Sequence, residues 1–248
     1  MERAAHYFFR ETDSTNKELW RMIEAGEAPG EGTVVQAGYQ TAGRGQAKTH
    51  WVSEAGKNLL FSILLKPVFL SPGRQFMLNK CIALSIRDAM ASLCQGHAFL
   101  IKWPNDILSG GKKIAGTLIE NRIMGKTYEI SVAGIGVNIN QCRFPPGIPS
   151  PASLKMLTGK DYDIDRCLQQ VKMKIQSYYN MLRQDDTACI DKAYLDNLLG
   201  YGERIQYTRE GRTSAGTVAG VNEYGKLLLK DDEGRLQTFG MKEIEFPA

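Results

Sequence analysis

The sequence predicts an α+β protein in which a mixed β-sheet flanked by helices precedes a small β-barrel. Residues 58–67 are apolar on both faces and end at Pro67, which is typical of a central strand. Residues 74–95 repeat apolar side chains at helical spacing. Beyond residue 200, short strands alternate with turns about every eight to ten residues, a pattern typical of a small barrel. We therefore predict one domain over residues 1–198 and a second over 199–248.

The N-terminal part is predicted to hold a helix, a strand and a long loop. Residues 15–25 carry an apolar stripe, and Thr15 and Glu18 have the spacing of a capping box. Residues 32–39 predict a strand. Residues 40–57 are polar and glycine-rich, so we expect a loop there.

The middle of the chain predicts further strands of the same sheet. Residues 98–104 form an apolar run that ends at a proline, and the next segment predicts a hairpin turning at 109–111. A strand is predicted over 128–139, and the proline-rich stretch 141–151 predicts a loop.

Two helices are predicted before the C-terminal strands. They cover about 165–183 and 188–199, and Gly200 is a candidate C-cap. The strands that follow are ERIQYT, SAGTVAGV, GKLLLKD and RLQTFG.

Composition excludes several classes of protein. The chain has 248 residues, 43% of them hydrophobic, and a net charge of +4, which is too small to indicate a nucleic-acid partner. The 5 cysteines form no CxxC motif, so neither a zinc site nor a disulfide framework is indicated, and a cytoplasmic location is expected. No apolar segment is long enough to predict a membrane span or an export signal.

The stretch KWPNDILSGGKKIAGTLIE places polar residues where a strand pair normally has few. Asp106 offers a carboxylate oxygen of the kind that Mg²⁺ prefers, and Asn105 can both donate and accept hydrogen bonds. Lys113 would bring a positive charge to the same region, as phosphoryl or nucleotidyl transfer requires. The alternative is structural: the amide and carboxylate serve a turn and the lysines solvate a hairpin edge.

Three further motifs could bind a ligand. Gly43, Arg44 and Gly45 combine a flexible backbone with a planar cation suited to an anion, although a plain surface loop explains the same residues. In DSTN, Ser14 and Thr15 offer hydroxyls at a predicted helix N-terminus, where capping explains Thr15 but leaves Ser14 available. In GIGVNIN, the glycines indicate close approach by a ligand or another backbone, or alternatively a β-bulge, and Asn138 follows them.

Together these motifs resemble the biotin–protein ligases, also called biotin–[acetyl-CoA-carboxylase] ligases. DSTN, QTAGRGQ, GKNLLFSI, KWPNDI, KKIAG and GIGVNIN occur in the order and spacing of that family, over about residues 7–141. The last 45 residues or so resemble its small SH3-like domain. Because DSTN begins at residue 13, we expect a short form without the N-terminal DNA-binding domain of some members, and no binding to DNA.

The resemblance implies a two-step, ATP-dependent reaction. Biotin and ATP form biotinoyl-5′-AMP with Mg²⁺ as cofactor, and a lysine of a biotin carboxyl carrier domain then takes the biotin. The family contains both monomers and homodimers, and no membrane partner is expected.

The resemblance also implies roles for individual residues. Lys113 and Arg44 match catalytic positions. Positions that hold biotin are matched by Ser14, Thr15, Gln36, Gly43, Arg44, Lys113, Gly134 and Gly136. Positions that hold the adenylate are matched by Gly45, Gln46, Trp51, Asn105, Asp106 and Asn138, with Asp106 as the magnesium ligand.

The sequence departs from the family pattern in the glycine-rich loop. Gln46 replaces an arginine of some members, Lys48 stands where a glycine is common, and Leu60 replaces a tyrosine. We hypothesise that Lys48 restores the missing charge, so that Lys48→Gly would weaken retention of the adenylate.

Two other functions fit the sequence less well. A lipoate or octanoyl–protein ligase would share the fold, but its characteristic RRxSGGG segment is replaced here by QTAGRGQ. A non-catalytic binding module would use the loop and the C-terminal barrel to hold a partner, and it would not turn over ATP.

Overall fold

The computed structural model describes residues 4–46 and 49–246. Its strands are β1 His6–Phe9, β2 Val34–Ala37, β3 Leu59–Leu65, β4 Leu100–Lys102, β5 Asp106–Ser109, β6 Lys112–Met124, β7 Thr127–Val137, β8 Arg204–Arg209, β9 Arg212–Val221, β10 Leu227–Lys230 and β11 Leu236–Phe239. Its helices are α1 Thr15–Glu24, α2 Gln75–Leu93, α3 Leu154–Thr158, α4 Ile164–Arg183 and α5 Thr187–Asp196.

The larger sheet is mixed, as the sequence predicts. Its 7 strands lie in the order β1-β2-β3-β7-β6-β5-β4. β1 pairs with β2 in parallel, and the pairings from β2 through to β4 are antiparallel. β3 is an interior strand between β2 and β7 with all 7 residues buried, in agreement with the prediction of a central strand.

The two faces of this sheet are covered unequally. Alternate residues of β3 point to opposite faces, so Phe61 joins the large core beneath α2, α4 and α5, whereas Leu64 packs against α1. A smaller hydrophobic cluster lies between α1 and the sheet, and its buried residues from α1 are Leu19 and Met22. The face that α1 leaves uncovered is where the candidate site lies.

The smaller sheet is antiparallel, with its 4 strands in the order β11-β10-β9-β8. It packs on the larger sheet through one continuous hydrophobic core that includes Tyr207 and Phe239. Trp103 joins the two sheets because its Nε1 donates to the carbonyl of Gly225 at 2.8 Å. The architecture agrees with the α+β, SH3-like fold class, and the boundary between 198 and 199 stays a prediction.

Several local predictions need correction. Ser14, not Thr15, is the N-cap of α1, so the predicted capping box does not form, and Glu18 instead bonds Thr12 and Arg21. α5 ends at Asp196 with Asn197 as its C-cap, so Gly200 lies in the following turn. The short helix α3 was not predicted, because its 5 residues are too few to show helical periodicity.

Across the ranges 4–46 and 49–246, the helices lack the combination of length and apolar character that a membrane crossing requires. The hairpin turn is where the sequence predicts it, with Gly110 and Gly111 at positive φ between β5 and β6.

Glu31 ties the larger sheet to α4. Its carboxylate accepts from the Lys66 amide at 2.9 Å, from the Tyr179 hydroxyl at 2.7 Å and from Arg183 at 2.7 Å. Burial raises the pKa of Glu31, but the hydrogen bonds from Tyr179, Lys66 and Arg183 outweigh burial and leave the pKa below its ordinary value of 4.5.

We expect Glu31→Gln to lower the free energy of unfolding by about 1 kcal/mol at pH 7, because charge-assisted hydrogen bonds are lost. A depressed folded-state pKa stabilises the fold above the unfolded-state pKa, and that stabilisation is lost as the pH falls through the folded-state value. The difference in the free energy of unfolding between wild type and Glu31→Gln should therefore be largest at neutral pH and shrink below about pH 4.5. Urea unfolding at several pH values measures it.

Glu27→Gln is the matched control, since that exposed carboxylate lies in the same connection. An equal difference between wild type and Glu31→Gln at pH 3 and pH 7 would contradict this account.

Candidate active site

A cavity opens on the α1 face of the larger sheet, where three glycines leave the strands without side chains. Gly116 pairs with Gly136 across β6 and β7, and Gly134 lies two residues before Gly136 on the same face. The cavity has a volume of about 240 Å³. Of the residues predicted from sequence, it is lined by Ser14, Thr15, Arg44, Gly45, Gln46, Trp51, Asn105, Asp106, Lys113, Gly134 and Gly136.

Lys113 and Asp106 form an ion pair at one end of the cavity. Lys113 Nζ lies 2.8 Å from Asp106 Oδ1, and both side chains are partly exposed. The hairpin creates the pair, because Asp106 opposes Gly116 and the missing side chain at Gly116 leaves room for the lysine. Asn105 lies beside them and donates to the Thr117 carbonyl through Nδ2, which leaves its Oδ1 available.

Arg44 brings a second positive charge to the cavity from the glycine-rich loop. Its Nη2 lies 3.0 Å from Glu120 Oε1, and Glu120 projects from β6 on the same face as Gly116. The same carboxylate accepts from Asn16 Nδ2 at 2.8 Å. Glu120 therefore holds the loop arginine against the sheet.

The end of the cavity away from Lys113 presents uncharged polar groups beside the Arg44–Glu120 pair. The Thr15 amide donates to Gln40 Oε1 at 2.8 Å, and Thr15 Oγ1 lies 3.1 Å from the same oxygen. Ser14 is almost fully buried beside them. This end offers hydroxyl and amide groups, which suit a neutral ligand group that both donates and accepts hydrogen bonds.

Asp13 helps to fix Ser14 at the start of α1. Its Oδ1 accepts from the Ser14 amide at 2.8 Å. The hydrogen bond from Arg21 is the main cause that lowers the pKa of Asp13 to about 2, with a further bond from Lys17 acting in the same direction. Asp13 is therefore ionised at neutral pH.

Close packing explains the glycines at 134 and 136. A Cβ at Gly134 would collide with the Asn16 amide, and one at Gly136 would lie 2.5 Å from Trp51 Cε2. The close approach that the sequence predicts is therefore made by side chains of this chain.

Trp51 covers the charged end of the cavity. Its ring lies 5.7 Å from Lys113 Nζ, within range of a cation–π interaction. Trp51 Nε1 is buried and has no hydrogen-bond partner among the described residues, so a donor is available at this point.

Three predicted residues do not line the cavity. Gln36 points to the opposite face of the sheet, where it contacts His6 at 2.9 Å and Asp165 at 3.3 Å. Gly43 is buried beneath Trp51 and Gln40. Asn138 donates to the Ala152 carbonyl at 3.0 Å and thereby fastens the segment that follows β7.

Gln40, and not the predicted Gln36, is therefore the glutamine that lines the polar end of the cavity. Gln36 belongs to β2, and the alternation of that strand turns it toward α4. Gln40 was not predicted as a site residue from the sequence. Its position as the first residue of the QTAGRG motif could have identified it. Asn16, Ser62 and Glu120 were also missed. The loop residue Lys48, to which we assigned a charge-restoring role, lies outside the described residues.

The fold and the cavity are those of a known family. The sequence model of the Biotin/lipoate A/B protein ligase family matches residues 8–140, and the chain belongs to this family. A biotin–[acetyl-CoA-carboxylase] ligase of Paracoccus denitrificans is 32% identical over 242 residues, which cover 95% of this chain and 98% of that protein. A bifunctional ligase/repressor of Bacillus subtilis is 30% identical over 92% of this chain and 70% of its own length.

Solved structures give the same result. The biotin protein ligase from Aquifex aeolicus in complex with biotin and ATP superimposes with a TM-score of 0.80 at 28% identity, over 98% of both chains.

We expect Gly136→Ala to displace the Trp51 ring, because the added methyl group would collide with it. Overpacking of this kind costs about 1–3 kcal/mol of stability. The tryptophan emission spectrum should shift relative to wild type, and the shift should vanish when both proteins also carry Trp51→Phe.

Gly73→Ala serves as the control, since a Cβ there meets only a side-chain atom at 3.9 Å. An unchanged spectrum for Gly136→Ala would show that Trp51 does not pack on this glycine.

Proposed function

We propose that this chain is an ATP-dependent biotin–protein ligase of the biotin–[acetyl-CoA-carboxylase] ligase type. The observation that carries the proposal is a cavity that combines neutral hydrogen-bonding groups at Thr15 and Gln40 with two cations, Lys113 and Arg44. Biotin has matching chemistry, since a neutral ureido ring lies at one end of the molecule and a carboxylate at the other. The named relatives support the same assignment.

In the first step, a biotin carboxylate oxygen attacks the α-phosphorus of ATP. A phosphorus–oxygen bond forms, the bond to the β-phosphate breaks, and biotinoyl-5′-AMP and pyrophosphate result. Both reactants are anionic, so they meet only where their charge is neutralised. Lys113 and Arg44 supply that charge at the cavity, and their positions are fixed in advance by Asp106 and Glu120.

We assign the polar end to the ureido ring. Ser14, Thr15 and Gln40 would hold it by hydrogen bonds, with Gln40 in the role first expected for Gln36. Gly134 and Gly136 line the cavity and leave room for Asn16 and Trp51 to pack on the sheet, and Gly43 sets the path of the loop.

We assign the adenylate to the region around Trp51. The indole offers a flat apolar surface and a donor without a partner. Gly45 and Gln46 approach from the loop, and Asn105 presents its free oxygen. Asn138 acts indirectly, by fixing the backbone that carries Lys113.

Magnesium fits the charged end in part. Mg²⁺ is usually held by one or two carboxylates together with substrate phosphates and water. Asp106 is the carboxylate that would hold it, with Asn105 Oδ1 as a neighbouring oxygen. Among the described residues, no group of three or more acidic, histidine or cysteine side chains is arranged to hold a metal ion, so the phosphates must complete the site. A bound ion would neutralise charge on the phosphates.

In the second step, a lysine amine attacks the mixed anhydride and AMP leaves. We propose that this lysine belongs to a biotin carboxyl carrier domain of a biotin-dependent carboxylase. The anhydride must be kept from water until the carrier arrives, and the loop that bears Arg44 is placed to cover it.

A lipoate or octanoyl–protein ligase is the alternative, since the family model covers both groups. The hydroxyl and amide groups around Thr15 favour biotin, because an alkyl chain has no N–H or carbonyl group to bond them.

We expect pyrophosphate release from Mg-ATP with biotin, and not with lipoate or without an acid. Lys113→Ala should reduce the rate by at least about 100-fold, the usual effect of removing a group that stabilises developing charge. Lys112→Ala is the matched control, because this exposed neighbour lies outside the cavity lining and should retain wild-type rates.

Release with lipoate would reassign the chain within the family. Folded protein without release for either acid would favour a non-catalytic binding module.

We expect Asp106→Asn to raise about tenfold the Mg²⁺ concentration that gives half-maximal pyrophosphate release, because a carboxylate ligand is lost. Asp161→Asn is the control, since Asp161 pairs with Lys155 at 2.8 Å on an exposed surface. Titrating Mg²⁺ at fixed ATP gives both values. Identical Mg²⁺ dependence in wild type and Asp106→Asn would remove Asp106 from the metal site.

A further inference from the structure

A chain of hydrogen bonds connects Arg44 to the uncharged polar groups of the cavity. It runs from Arg44 through Glu120, Asn16, Ser62 and Thr15 to Gln40. Glu120 and Ser62 do not line the cavity, yet they join the residues that do. Asn16, Ser62 and Thr15 are almost fully buried, with exposed fractions of 3%, 0% and 3%.

The direction of these bonds follows from counting hydroxyl protons. Ser62 Oγ lies 2.6 Å from Asn16 Oδ1 and 2.7 Å from Thr15 Oγ1, and Thr15 Oγ1 lies 3.1 Å from Gln40 Oε1. The hydroxyls of Ser62 and Thr15 supply only two protons for these three contacts. Each of the two shortest contacts needs a proton, because oxygen atoms this close otherwise repel.

Only one assignment satisfies both short contacts. Asn16 Oδ1 cannot donate, so the Ser62 hydroxyl donates to it. The Thr15 hydroxyl then donates to Ser62 Oγ. Gln40 Oε1 does not require the Thr15 hydroxyl, because it already accepts from the Thr15 amide at 2.8 Å. The lone pairs of Thr15 Oγ1 are consequently free in the cavity that Thr15 lines.

Glu120 determines this direction. A carboxylate only accepts, so it requires the Asn16 amide to present Nδ2, and Nδ2 also donates to the Leu118 carbonyl at 3.3 Å. With Nδ2 fixed on Glu120, Asn16 Oδ1 must face Ser62. Arg44 shares the carboxylate and also only donates, which reinforces the same orientation.

We propose that Glu120 is a specificity-determining positioning residue that, through Asn16 and Ser62, makes Thr15 Oγ1 an acceptor for a ligand N–H. The proposal rests on the proposed function, in which that N–H belongs to the ureido ring of biotin. Glu120 itself does not touch the ring. A glutamine at position 120 would use its oxygen for Arg44 and its NH₂ for Asn16, which reverses Asn16, Ser62 and Thr15 and turns Thr15 into a donor.

The experiment compares biotin with two carbamate analogues, in each of which one ring N–H is replaced by oxygen of similar size. Isothermal titration calorimetry gives the Kd of each ligand for wild type, Glu120→Gln and Glu129→Gln. Glu129 is the matched control, because it is a carboxylate on the neighbouring strand β7 paired with Arg122 at 2.7 Å. Circular dichroism and thermal unfolding confirm that each variant is folded.

The wild type should prefer biotin over at least one carbamate analogue, and Glu120→Gln should reduce that preference about tenfold, the equivalent of one hydrogen bond. Glu129→Gln should retain it. An unchanged preference overturns the proposal, even if Glu120→Gln weakens all ligands equally, since equal weakening is what a merely structural role produces. Failure of the wild type to bind biotin would instead reject the proposed function and this inference with it.

Ser62→Ala tests whether Glu120 acts on Thr15 through the chain of hydrogen bonds. Ser62 links Asn16 to Thr15 in the chain of hydrogen bonds. Adding Glu120→Gln to Ser62→Ala should therefore not change the preference for biotin over the carbamate analogues any further. A tenfold change in that double variant would show that Glu120 acts by another route, which also overturns the proposal.

Discussion

The site depends on one constraint: the α1 face of the larger sheet carries glycine at 116, 134 and 136, where the cavity lies. Any side chain at 134 or 136 would collide with Asn16 or Trp51. The gap at 116 admits the Lys113–Asp106 pair, whose atoms would lie 3.1–3.3 Å from a Cβ there. The helices packed on the opposite face form the large core, so the α1 face can remain open without loss of the fold.

Electrostatics divides this cavity into two regions. Lys113 and its partner Asp106 occupy one region, and neutral hydroxyl and amide groups lie in the other, beside Arg44, which Glu120 holds. Fixing the cations in advance lowers the cost of bringing two anionic substrates together, because the protein does not reorganise during the reaction. The chain of hydrogen bonds links Arg44 to the neutral groups, so recognition of the ring and placement of Arg44 share the same side chains.

Regular elements with strong patterns could be predicted from the sequence. The continuous apolar run and terminal proline of residues 58–67 identified β3, and the helical period of 74–95 identified α2. Motifs located the loop and the hairpin of the site. What failed was the direction of single side chains: Gln36 turns away because β2 alternates, and Gln40 lies beyond the strand where no periodicity applies. Glu120 and Ser62 resemble ordinary strand residues, and their role depends on contacts between segments distant in sequence.

The central claim is that the glycine-floored cavity forms and retains an acyl-adenylate. Native mass spectrometry after incubation with biotin, Mg-ATP and pyrophosphatase tests it most directly, with lipoate in a parallel sample. The account predicts that each chain gains the mass of one biotinoyl-5′-AMP, and that no such gain occurs with Lys113→Ala or with lipoate. A folded wild-type protein that gains no adenylate mass, or gains lipoyl-AMP instead, would contradict it.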